Sequence, residues 1–145
     1  MTNPPRTQAK SARINAELQL RDTNLWSAIE RYSALSYGPG LRPAQRVSAL
    51  GEDPLFAQAL EQAVARDDSV VSSEDPRETY ALSRSDPRSS AEYFYKIRSN
   101  LSHRGKGAWS EAERLRVALK ELLAILDHVL RESVFASHAE DGSAQ

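Results

Sequence analysis

The sequence predicts an all-α protein, a bundle of about four main helices. Ala, Leu, Arg and Glu are abundant, all good helix formers, while Val and Ile are sparse. Apolar residues recur at three-to-four spacing in several long stretches, and no strand-like alternation of useful length is found. A chain of 145 residues suits one domain with one core. We expect that domain over residues 11–135, between a disordered N-terminus (1–10) and a disordered tail (136–145).

The first helical pattern runs to about Ser36. Ile14 and Leu18 begin it, and Leu25, Ile29, Tyr32 and Leu35 or Ser36 continue it. Asp22 to Asn24 reads as a break or a cap. Gly38-Pro39-Gly40 stops the helix. Arg42 to Leu50 reads as one or two short turns. Asp53-Pro54 places an N-cap acceptor before a proline at the first helical position. Leu55, Phe56, Leu60 and Val64 give that helix its apolar face, up to about Arg66.

Asp67 to Asp75 is polar and Ser-rich and reads as a loop. Pro76 to Ser83 reads equally as a helical turn or as loop. Asp86-Pro87 repeats the cap-then-proline start. Ala91, Phe94, Ile97 and Leu101 then lie on one face of a helix expected to end near His103, before Gly105 and Gly107. Ser110 to Glu113 has the form of a capping box. The last helix runs to about Ser133. Its stripe of Leu115, Ala118, Leu119, Leu122, Leu126, Val129 and Leu130 is broadened by Leu123 and Ile125. A stripe that wide implies a central helix, or one partly buried by a second copy.

Several function classes drop out. There is no Cys, so no disulfide framework and no thiolate metal site. No Gly-rich phosphate loop, nucleophile elbow or metal-ligand cluster appears, and no cofactor is expected. Met1 to Lys10 lacks the apolar core of a signal peptide, and no run of apolar residues is long enough for a membrane span. A soluble, cytoplasmic protein without a membrane partner is the expectation. Net charge is −1, so the whole molecule is not a general polyanion binder. Charge is unevenly spread, however. Arg84 to Lys106 holds six basic residues against two acidic ones, a net +4.

Within that window stands Tyr95-Lys-Ile-Arg-Ser-Asn-Leu-Ser-His-Arg-Gly-Lys106. Arg98 supplies a permanent, forked cation for phosphate oxygens. His103 can exchange a proton near neutral pH. Asn100 can orient either partner or the phosphate. Five steps of ~100° leave positions 98 and 103 about 140° apart on a straight helix, so one helix does not unite them.

This stretch resembles the HEPN family (higher eukaryotes and prokaryotes nucleotide-binding), whose hallmark is Arg, four to six residues, His. The nearer likeness is to its Apea-like branch, carried by Tyr95, Ile97, Arg98, Asn100, Leu101, His103, Gly105 and Lys106. With the Leu-rich helix that follows, the resemblance extends over roughly residues 86 to 133. It implies a helical bundle that dimerises through the motif helices. It also implies a metal-independent endoribonuclease, acting as a bacterial toxin or antiviral defence effector. In that scheme Arg98, Asn100 and His103 are catalytic. The 2′-hydroxyl attacks phosphorus, His103 handles protons and Arg98 stabilises the phosphorane charge. Lys96, Ser102, Arg104 and Lys106 would contact RNA. The implied partners are RNA, a second copy, and a cognate antitoxin or defence-system protein.

The segment also departs from the family pattern. Ser99 stands where active nucleases often carry Asn, Asp or His. Ser102 replaces a Phe and Arg104 a Gly, which makes the segment more polar and basic. Gly105 stands where toxins controlled by a nucleotidyltransferase carry Tyr, which argues against that control. The rival expectation is a non-catalytic HEPN module that binds RNA or a partner protein and serves as a dimerisation scaffold. Trp26 and Trp109 read as core or staple residues rather than base platforms. His128 and His138 are lone histidines without a role.

Overall fold

The computed structural model describes residues 5–72, 74–104 and 109–143. Side chains are described for most of 13–72, 74–100 and 113–133. Five helices and one small hairpin follow in the order α1 (Pro5–Tyr37), α2 (Pro43–Glu52), α3 (Pro54–Ala63), β1 (Asp68–Val71), β2 (Thr79–Leu82), α4 (Pro87–Arg104) and α5 (Trp109–Ser143). The protein is mostly helical, as its composition predicts. Among the described residues, no helix is long and apolar enough to cross a membrane.

α1 is continuous through Asp22–Asn24, where a break was expected. Leu18, Asp22, Leu25, Ile29 and Tyr32 are all buried, at spacings of four, three, four and three. Asp22 therefore occupies a core position of the stripe rather than a cap. Packing of that stripe outweighs the weak local preference of Asp and Asn for helix ends. Leu35, one of the two residues expected to continue that stripe, is instead 82 % exposed. Gly38 and Gly40 end the helix at φ +106° and +86°, a region that favours glycine. At the other end α1 already includes Pro5 to Lys10, assigned from sequence to a disordered arm.

The stretch read as one or two short turns, Arg42 to Leu50, lies in one helix, Pro43–Glu52, with Arg42 as its N-cap. Pro43 sits at its first position, and Gln45 Oε1 accepts from the Arg42 N–H at 2.9 Å. Asp53 closes α2 and opens α3, its Oδ1 accepting from the Leu55 N–H at 2.9 Å. Its other oxygen accepts from the Tyr32 and Tyr37 hydroxyls, both at 2.6 Å. Burial and this carboxylate together push the Tyr32 hydroxyl up to about 12, and Tyr37 higher still.

The hairpin corrects the loop expected over 67–75 and puts strand β2 in the stretch 76–83, expected as a helical turn or loop. β1 and β2 pair antiparallel with Asp68 opposite Leu82 and Val70 opposite Tyr80. Only Val70 and Leu82 turn fully inward, so each four-residue strand shows a single buried apolar residue. One such residue leaves no alternation to detect.

α4 lies at the centre, against α2 on one side and the hairpin on the other, and it also meets α3 and α5. Asp86-Pro87 starts it as expected, the Asp86 carboxylate accepting from the Ser89 N–H at 3.1 Å. Its first turns are sewn to β2. Ser90, fully buried, donates to the Ser83 carbonyl at 2.6 Å and accepts from the Ser83 N–H at 3.0 Å. Ser89 Oγ donates to the Ala81 carbonyl at 2.6 Å. α2 approaches so closely that a Cβ on Gly51 would lie 2.9 Å from Arg88 Cα. The largest fully buried side chains are Tyr93, Phe56, Leu60, Leu82 and Ile125.

α5 packs on α3 and α1. Leu115, Ala118, Leu119, Leu122, Ile125, Leu126 and Val129 are buried. Leu123 and Leu130, read as part of the same stripe, are exposed. α5 reaches Ser143, past the expected end near Ser133 and through most of the expected tail.

Candidate functional site

The segment that resembles the HEPN motif occupies the C-terminal half of α4. Helical phase sends its residues to two sides. Tyr95 and Arg98 face α1 and α2. The Tyr95 ring meets Trp26 edge-on, with centroids 5.7 Å apart. The Arg98 guanidinium lies 5.7 Å from the Trp26 ring, and its Nη1 is 3.2 Å from Glu30 Oε1. Lys96 and Asn100 face the hairpin. Lys96 Nζ stands 5.1 Å from the centroid of the Tyr80 ring, a cation–π contact. Asn100 Nδ2 donates to the Val71 carbonyl at 2.8 Å.

Of the three residues expected to be catalytic, Arg98 and Asn100 are thus on different sides of the helix. Position 103 is in the last turn of α4. Its phase is nearer to 100 than to 98, by about 60° against about 140°. The side chains of Ser102, His103 and Arg104, and the whole of Lys106, lie outside the described residues, as do those of Trp109 and Ser110.

Around Arg98 the fold assembles further polar groups from α1 and α2. Arg46, from α2, points Nη2 at the same Glu30 oxygen from 3.8 Å. Its Nη1 donates to the Leu41 carbonyl at 2.8 Å, which fixes the guanidinium. Ser33 is 2 % exposed and its hydroxyl finds no hydrogen-bond partner among the described residues. Trp26, Glu30, Ser33, Arg46, Tyr95 and Arg98 line a recess of about 340 Å³, part of it open to solvent. Behind it, Asp22 is buried. Burial pushes its carboxyl up to about 6, against the opposing pull of the Arg98 charge and a hydrogen bond from Trp26. Asp22 was detectable as an acidic residue on an apolar stripe. Arg46 and Glu30 had no local signal, since their meeting depends on how α2 crosses α1.

A second polar cluster ties the bundle together on the hairpin side. Arg66 forks onto Glu121 of α5, at 3.1 and 2.7 Å, and reaches Asp68 at 3.2 Å. Tyr93 donates to Asp68 at 2.6 Å, and Arg114 approaches the same oxygen at 3.4 Å. Burial raises the Asp68 carboxyl, but Tyr93 and the backbone and arginine donors outweigh it and hold the group below the usual range. Every strong donor here meets an acceptor, which marks the cluster as a structural clasp.

No family model, curated protein or solved structure matches the chain.

Proposed function

We propose that the chain is a HEPN-type domain that acts on RNA as a two-fold homodimer in the cytoplasm, cutting it without a metal. The observation that carries this reading is the place of Arg98. It sits on the helix that bears the motif, 30 % exposed at the rim of a recess, in a bundle whose long last helix follows directly. The 140° between positions 98 and 103 supports a site shared by two chains, where one copy's position 103 can approach the other's position 98. Exposed Leu123 and Leu130 on α5 supply apolar surface for such an interface.

In the proposed reaction the 2′-hydroxyl oxygen bonds to phosphorus as the P–O5′ bond breaks. His103 takes the 2′-hydroxyl proton, and the O5′ leaving group receives a proton from the His103 pair. Arg98 balances the charge of the phosphorane. The products are a 2′,3′-cyclic phosphate and a 5′-hydroxyl. Arg104 and Lys106 add cationic contacts to the RNA backbone. A toxin or antiviral defence effector is the setting this activity suits, with a dedicated protein inhibitor or defence partner.

One observation favours a second reading. Asn100 spends an amide hydrogen on the hairpin backbone, as a residue with a structural role does. On that reading the module binds RNA or a partner without cutting. Incubating the purified protein with total RNA in EDTA separates the two. Cyclic-phosphate ends appear under the first reading, and intact RNA under the second. Light scattering at tens of micromolar checks the dimer, and a monomer contradicts it.

A further inference from the structure

We infer that Arg46 and Arg98 form a two-arginine clamp for an RNA phosphate, and that the Glu30 carboxylate occupies the clamp in the isolated chain. The inference rests on the RNA reading above and adds to it a second arginine and an internal competitor.

Both guanidinium groups address one oxygen. Arg98 Nη1 is 3.2 Å and Arg46 Nη2 is 3.8 Å from Glu30 Oε1. A carboxylate oxygen shared by two arginines has the charge and the lone-pair geometry of a phosphate oxygen in the same place. Each guanidinium is also held by something other than Glu30. The Leu41 carbonyl fixes Arg46, and the face of Trp26 lies beneath Arg98. Removing Glu30 therefore leaves the two cations in position, so little reorganisation opposes the entry of an anion.

Glu30 is suited to leave. Its side chain is 43 % exposed, and rotation carries its charge into water at small cost. While it stays, the enclosed part of the recess has room for little more than a water molecule. Deeper in the same recess Ser33 offers a buried hydroxyl without a partner among the described residues. That is a second, independent sign of an unfilled polar site, because buried hydroxyls are normally satisfied. The two rings beside the clamp, Trp26 and Tyr95, form its apolar wall.

The charge balance agrees. Two arginines face the exposed Glu30 carboxylate and, behind it, Asp22, which with its carboxyl raised to about 6 is still mostly ionised at neutral pH. With Glu30 in place the pocket is close to neutral, and with Glu30 withdrawn it is close to one positive charge. A phosphodiester, with one negative charge, restores the balance that Glu30 provides. Lys96 and Asn100 are directed to the hairpin and do not enter the clamp.

The test uses the full chain carrying Trp109→Phe, so that Trp26 alone reports on the recess. Two probes are titrated, inorganic phosphate and a 2′-O-methyl RNA decamer that cannot form a cyclic phosphate. Trp26 fluorescence and the thermal midpoint are followed for the parent, for Glu30→Gln, and for Glu30→Gln with Arg46→Met. Glu30→Gln is expected to bind both probes roughly tenfold more tightly, since it removes a charge-assisted competitor. Adding Arg46→Met should cancel that gain for both. If Glu30→Gln only lowers the thermal midpoint and phosphate neither raises it nor changes Trp26 emission, the ion pair is structural and the clamp is refuted. If phosphate binds as expected but the decamer binds to no variant, the clamp stands as an anion site and its assignment to RNA is overturned. If the decamer binds equally to all three chains, RNA binding stands and the clamp is refuted.

Discussion

The two halves of α4 are built to different standards. In the N-terminal half the buried polar groups are used. Ser90 trades two hydrogen bonds with Ser83, Tyr93 donates to Asp68, and Arg66 joins the hairpin to α5. Ala91 and Tyr93 are fully buried there. In the C-terminal half polar groups are left in tension. Asp22 is buried beside a single cation, Ser33 lacks a partner among the described residues, and Arg46 and Arg98 share one carboxylate. A folded chain tolerates such tension where something other than stability selects it. The half that is satisfied holds the fold, and the half that is not is where a ligand has something to gain.

The largest loss of stability is expected at the junction of α2 and α3, where a buried carboxylate is likewise fully used. Asp53 accepts from Tyr32, Tyr37 and the Leu55 N–H, so Asp53→Ala strands two hydroxyls and removes a cap. A loss of about 3–4 kcal/mol in urea unfolding is expected. A loss below about 1 kcal/mol would show that the junction of α2 and α3 is not held by this carboxylate.

Asp22 tests the strained region, with the opposite sign. Its carboxyl ionises near 3.8 when unfolded and near 6 when folded. The folded state therefore binds a proton that the unfolded state has released, and the group destabilises the fold increasingly as pH rises from 3.8 to 6. The penalty is absent below that window and constant above it. Asp22→Asn keeps the shape and removes the charge, so it should be more stable than the parent by about 3 kcal/mol at pH 7. The two proteins should converge near pH 4. Urea midpoints across that range decide it, and parallel curves would count against a strained Asp22.

Gly51 probes the seam that sets how α2 crosses α4, and with it where Arg46 stands. Gly51→Ala places a methyl 2.9 Å from the Arg88 backbone, which cannot yield as a flexible side chain would. A cost of about 2 kcal/mol is expected. The substitution should also weaken phosphate binding in the Glu30→Gln background, because Arg46 moves with α2. An unchanged midpoint and unchanged binding would show that the seam has slack.

Much of the fold was legible in the chain. The proline starts of α3 and α4, the glycine stop of α1 and the stripes of α4 and α5 follow from local rules that act within a few residues. The hairpin was not legible, because Val70 and Leu82 are the only fully buried residues of two four-residue strands. Continuity of α1 at Asp22 was missed because burial against the bundle overrides a local cue. At the candidate site, Arg98 and Asn100 could be named from the motif. Their separation onto two sides of α4 followed from helix phase. Glu30 and Arg46 could not be named, since their ion pairs join residues far apart in sequence.

The most direct test of the central claim compares His103→Ala and Arg98→Ala with the parent chain on RNA in EDTA, with the thermal midpoint of each measured alongside. The parent is expected to yield 2′,3′-cyclic phosphate ends. Both variants should stay folded and lose cleavage, and Arg98→Ala should lose more RNA binding than His103→Ala. Normal cleavage by His103→Ala, or none by the parent under any condition, would contradict it.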